Sequence, residues 1–202
     1  MGQSGVRLQD ARYLLLVCGM ITCLQACCRP PRSRGEANGW QNARDEASDN
    51  LAAVLFLDVD GVLHPYHTSG HIEMQFERRC MEYLREILQT TKATIVLSSA
   101  WRETEHSRQR LRLKLREHGL PTFASVTRIL PGNQRPREII EWVAAHKPVT
   151  WVAVDDMPLH QDQRMKGHFV QTRALNGLQR DTASRIIECF EMQARRSHRP
   201  PS

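Results

Sequence analysis

The sequence has little cysteine where a fold would need it for staples. Four of its six cysteines (Cys18, Cys23, Cys27, Cys28) precede residue 30, leaving only Cys80 and Cys189 in the body of the chain. That excludes a disulfide framework, and the paired spacings of a zinc site are missing. Long apolar runs are also lacking: residues 13–24 are the apolar stretch nearest the start, well short of the roughly 20 that a membrane helix requires. No internal repeat is visible, and no large excess of one charge marks the central region. Residues 51–193 hold nineteen Lys/Arg against seventeen Asp/Glu, whereas residues 194–202 hold three basic residues and no acidic one. A domain so nearly balanced does not by its charge imply nucleic acid, although it can accept an anionic substrate.

With 202 residues, the chain has room for one domain and some spare length. Residues 1–28 read as a signal peptide or short apolar leader. Arg7 and Arg12 precede the apolar run, and Ala26 and Cys28 form a small-residue pair after it. Asp10 and Gln25 interrupt that pattern, so an unstructured leader is the alternative, and Val6 stands where a myristoylation pattern needs Ser or Thr. Residues 29–50, rich in Arg, Pro, Gly, Asn and Asp, read as a linker, and residues 194–202 as a disordered basic tail. The folded part is expected over 51–193. Nothing in it requires an oxidising compartment, so a cytoplasmic location is favoured, with the secretory pathway as the alternative if the leader is a signal. No stable membrane span is expected, and the oligomeric state is left open.

The folded part is organised around Leu55-Phe56-Leu57-Asp58-Val59-Asp60-Gly61, a buried strand that ends in two carboxylates and a glycine. Beyond it lies a loop with His64, His67 and His71, read as facing solvent or substrate because glycine-bearing loops make poor metal cages. A helix is expected over about 74–90, a second strand over 93–97, and a basic helix over 103–118, where alternating Arg and Leu compete for a strand reading. Residues 119–134 look irregular. A helix with Pro136 in its first turn runs to about 146, then come a third strand (149–154), a short helix, a fourth strand (about 168–172) and a last helix capped by Asp181. The alternation predicts an α/β fold: a parallel sheet with helices on both faces.

Three strands end in polar residues: Asp58 and Asp60, Ser98 and Ser99, Asp155 and Asp156. In a parallel sheet those tips share one edge, where open α/β sheets carry their sites. The set holds a carboxylate nucleophile, a second carboxyl two residues on, hydroxyl donors and an acidic pair for a cation, with Arg135 available as a fixed positive charge. These are the parts of a phosphoryl-transfer site, and Mg²⁺ suits the oxygen ligands. An EF-hand reading from Asp58 fails, since Val62 and Ser69 occupy two of its ligand positions.

The motifs LFLDVDGVL, IVLSS and WVAVDD resemble the first, second and fourth motifs of the haloacid dehalogenase-like (HAD) superfamily. More narrowly, LFLDVDGVLHP, IVLSSAWR, RPREIIEW and HFVQTRALNGL are similar to the HAD domains of Swiss Army Knife RNA-repair proteins and their stand-alone relatives, over about 53–191. The resemblance implies a three-layer Rossmann-like fold. It also implies a Mg²⁺-dependent phosphatase in which Asp58 is the nucleophile and Asp60 the acid and base. Ser98 (or Ser99) would hold the phosphoryl oxygen, and Arg135 (or Arg137) would balance charge. It places the metal on Asp58, the Asp60 carbonyl, Asp155 and Asp156, with Gly61, Ser99, Trp101 and Arg102 toward the phosphorylated substrate. Neither 61–92 nor 103–134 is long enough for a large cap domain, so the site should be open. Among relatives that suits bulky substrates such as phosphoproteins or nucleic-acid ends; a catalytically silent binding module is the rival reading.

Overall fold

A computed structural model of the chain describes residues 52–66, 76–132 and 134–197. The leader, the linker and most of the basic tail (residues 198–202), with His67 and His71, lie outside the described residues. The elements run β1 (Ala53–Leu57), α1 (Arg78–Thr91), β2 (Thr94–Leu97), α2 (Glu105–Glu117), β3 (Ser125–Val126), α3 (Arg135–His146), β4 (Thr150–Asp155), β5 (Phe169–Gln171) and α4 (Arg180–Ser197). All five strands are parallel, in the order β3-β2-β1-β4-β5.

The period of two along each strand sorts the core into two layers. Leu55 and Leu57 of β1, Ile95 and Leu97 of β2, and Val152 and Val154 of β4 face α1, α2 and α4, whose Leu84, Ile87, Leu111, Leu115, Ile186 and Phe190 fill that side. Val54, Phe56, Val96, Trp151 and Ala153 face α3 through Ile139 and Trp142. Phe56 sits edge-on to Trp142 and Trp151, with ring centroids 5.2 and 5.8 Å away. Each such buried side chain contributes about 1.5–3 kcal/mol of transfer free energy. Strands β1 to β3 progress outward in one direction, and the chain then crosses to β4 on the other side of β1. That reversal moves the connecting helix α3 to the opposite face and opens a crevice beside the β1 tip.

Local signals explain most boundaries. The α1 helix ends where Lys92 turns left-handed (φ 57°) and its N–H closes on the Leu88 carbonyl. Helix α2 begins at Glu105 because the Thr104 hydroxyl accepts the Ser107 N–H at 3.1 Å. Its helical spacing wins over the alternating pattern: Leu111 and Leu115 are fully buried, while Leu113 is 57% exposed. Two expectations need correction. The stretch 119–134 contains β3, a two-residue edge strand too short to leave a pattern. Asp181 lies within the first turn of α4, and the capping hydroxyl is that of Thr182, which accepts the Gln179 N–H at 2.8 Å. Among the described residues no cap domain is inserted, and no helix is long and apolar enough to cross a membrane.

Candidate active site

Strand register brings the acids together. Leu57 pairs with Val154 on one side and Leu97 on the other, so Asp58, Asp155 and Ser98 occupy the next rung of three adjacent strands. All three take the parity of the α3 face. Helix α3 starts there, and Arg135 on its first turn reaches both acids: one Nη1 donates to Asp58 Oδ1 at 2.8 Å and to Asp155 Oδ2 at 2.6 Å. Asp58, Asp155 and Arg135 are all buried. Arg137, the alternative partner, is exposed on the same helix and pairs with Glu141 at 2.9 Å.

Asp156 completes the cluster. Carboxylate oxygens of Asp58, Asp155 and Asp156 lie within 4.8 Å of one another. Gly61 makes that approach possible: it adopts φ +70°, and a Cβ there would stand 2.9 Å from the Asp156 Cβ and Cγ. Its carbonyl is fixed by the Thr172 hydroxyl at 2.8 Å. Burial, then the neighbouring Asp155, push Asp58 well above the usual carboxylate range, although Arg135 and a hydrogen bond with Ser99 pull the other way. Burial likewise raises Asp155 against the opposing pull of Arg135, and burial with Asp155 raises Asp156. Three carboxyls facing one guanidinium leave negative charge uncompensated, and a hard divalent cation with oxygen ligands fits that donor set.

Asp60 is held differently. The His64 Nε2 lies 2.9 Å from its Oδ1 and the Trp101 Nε1–H donates to its Oδ2 at 2.9 Å. Burial acts to raise its pKa, but these hydrogen bonds outweigh burial and hold it below the ordinary value. His64 is fully buried, which corrects its expected exposure in the loop. The turn 59–63 folds back on itself, with the Leu63 N–H on the Val59 carbonyl (2.8 Å) and the Gly61 N–H on the His64 carbonyl (2.9 Å), so the imidazole returns to the strand tip. The apolar Val62 and Leu63 just before it were the available signal.

The two serines divide. The Ser99 hydroxyl accepts the Trp101 N–H at 3.3 Å and hydrogen-bonds Asp58, whereas the buried Ser98 hydroxyl has no partner among the described residues. Arg102, expected to face substrate, is instead buried and turned inward. Its Nη1 donates to the carbonyls of Ser98 (2.8 Å) and Ser99 (2.6 Å), and its Nη2 pairs with Glu138 at 2.5 Å. Glu138 also accepts the Leu130 N–H at 2.8 Å, tying the β2 tip, the β3 loop and α3 into one block. Sequence reading missed Glu138; an acid beside Ile139 on the inward face of a helix was the clue.

Comparison with protein-family models matches residues 54–183 to the HAD domain in Swiss Army Knife RNA repair proteins. No curated protein and no solved structure matches the chain. The matched span runs from the first strand into the first turn of α4 and takes in the four acids, both serines and Arg135, so the chain belongs to the HAD superfamily, with the domain type found in Swiss Army Knife RNA repair proteins.

Proposed function

We propose that the chain is a Mg²⁺-dependent phosphomonoesterase working through an aspartyl-phosphate. The observation that carries this reading is the meeting of Asp58, Asp155 and Asp156 within 4.8 Å beside Arg135, at the crevice where the strand order reverses. The ligands would be the side chains of Asp58, Asp155 and Asp156 and the main-chain carbonyl of Asp60. Bound there, Mg²⁺ supplies positive charge to the acids and to the phosphoryl oxygens.

In the first step an Asp58 oxygen forms a bond to phosphorus as the bond to the leaving oxygen breaks, and Asp60 passes to that oxygen a proton it has taken from the monoanionic ester. In the second, water attacks the aspartyl-phosphate and gives its proton to Asp60. The P–O bond to Asp58 then breaks, releasing inorganic phosphate and restoring the carboxylate. Arg135 keeps the nucleophile oriented, and the unpartnered Ser98 hydroxyl is available to a phosphoryl oxygen. Ser99, already bonded to Asp58, orients the nucleophile. An acid at Asp60 favours ester hydrolysis over carbon–halogen cleavage, for which a proton donor is not needed.

The test is hydrolysis of p-nitrophenyl phosphate with Mg²⁺ and with chelator. Turnover should require the metal and fall at least about 10³-fold in Asp58→Asn, which removes the nucleophile. A chain that binds Mg²⁺ yet turns over no phosphomonoester would be a binding module instead. A panel of phosphopeptides, phosphorylated oligonucleotides and small phosphate esters then identifies the substrate class, bulky substrates being favoured because the described residues insert no cap.

A further inference from the structure

The two side chains that hold Asp60 come from different parts of the chain, and both lie outside the acidic cluster. His64 lies four residues after Asp60 and Trp101 forty-one residues after it, each 2.9 Å from a different carboxylate oxygen. Both rings are themselves fixed. The His64 ring packs edge-on against Phe76 (5.2 Å) and Trp101 (6.1 Å), and Phe76 packs edge-on against Trp101 at 5.4 Å. The Arg110 guanidinium of α2 lies over the Trp101 ring, 5.6 Å from its centroid. The Asp60 side chain is nevertheless 35% exposed, so its carboxyl opens toward the crevice.

From this geometry we infer that His64 and Trp101 are positioning residues that fix the direction of the Asp60 carboxyl for its proton transfers, an inference that rests on the phosphatase reading. Each oxygen accepts one N–H from the clamp and keeps a second lone-pair direction for the proton or water it handles. The buried Nδ1 of His64 has no partner among the described residues, which therefore give the ring no competing bond that would rotate it away from Asp60. A general acid misdirected by even an ångström loses much of its contribution.

The experiment is a leaving-group series. Hydrolysis of 2,4-dinitrophenyl phosphate expels an oxygen that departs without a proton, whereas phenyl and alkyl phosphates need one. Trp101→Phe removes the N–H and keeps the ring. It should lower kcat/KM for phenyl phosphate about tenfold or more while changing the dinitrophenyl ester less than about threefold. His64→Leu should behave alike, and His64→Gln, which keeps a donor at the same reach, should recover most of the loss. If these variants lower every ester equally, the residues serve folding alone and the inference is overturned. A second measurement needs no turnover: Asp60→Asn should shift the indole N–H resonance of Trp101 in the protein's nitrogen–proton spectrum. An unmoved resonance would show that the clamp is not formed. A wild-type chain that hydrolyses none of the esters overturns the phosphatase reading and with it the role in proton transfer, and the indole resonance then reports only whether the clamp exists.

Discussion

Replacing Glu138 by Ala tests how the β2 tip is held. The substitution leaves the buried Arg102 guanidinium with the Ser98 and Ser99 carbonyls and a longer bond to the Arg128 carbonyl (3.4 Å), and strips the Leu130 N–H of its acceptor. Burial already lowers the Arg102 pKa more than Glu138 raises it, so the charge has little solvation to fall back on. Breaking a buried pair from one side costs about 3–5 kcal/mol, a large share of the ~5–15 kcal/mol that stabilises a typical domain. The remaining carbonyls put the expectation at about 3 kcal/mol. Glu138→Gln keeps an acceptor for Leu130 and loses only charge, and should cost roughly 2 kcal/mol. The double replacement Arg102→Met with Glu138→Leu removes both charges and should recover to within about 2 kcal/mol of wild type, the remaining cost being the Leu130 N–H without its acceptor and the Ser98 carbonyl without its donor, since the Ser99 carbonyl keeps the Arg102 main-chain N–H. Urea unfolding followed by tryptophan fluorescence reads these differences, the first as a midpoint shift of about 1–3 M. A Glu138→Ala cost below about 1 kcal/mol would mean that water reaches the pair, and the argument from burial would fail.

Mg²⁺ about tenfold above its Kd should stabilise the chain by about 1.4 kcal/mol, seen as a Tm rise of roughly 3–6 °C. Asp155→Asn should abolish that rise, and an undiminished rise would place the ion elsewhere. Gly61→Ala should cost about 1–2 kcal/mol in backbone strain alone, and it should also weaken the Mg²⁺ response by displacing Asp156. A variant with wild-type unfolding and Mg²⁺ response would refute the close approach. Burial, followed by Glu77, pushes the Cys80 thiol up to about 11, so at pH 8 only about one molecule in a thousand is thiolate. Iodoacetamide followed by peptide mass spectrometry should leave Cys80 unmodified until the chain is denatured; rapid labelling of the native protein would contradict the packing against Leu178.

The sequence by itself determined the elements with strong periodicity and their order. Buried strands of four to six residues ending in Asp58, Ser98 and Asp155 alternate with amphipathic helices, and that alternation leaves few topologies besides a parallel sheet. It also nominated the acids, because carboxylates at the end of an apolar run have no packing reason to be there. What it left open were questions of direction. Ser98 and Ser99 are adjacent hydroxyls, and Arg135 and Arg137 share the first turn of one helix; no local pattern says which of each pair turns toward Asp58. For the arginines register decided it: the β1–β4 pairing puts Asp155 beside Asp58 on the α3 face, and only Arg135 lies on the side of α3 that meets that face. Arg102 and His64 show the same limit from the other side. Their polarity suggested exposure, yet buried carbonyls, Glu138 and Asp60 supply the partners that make burial tolerable. Those partners lie up to 36 residues away in sequence, so only the folded chain could reveal them.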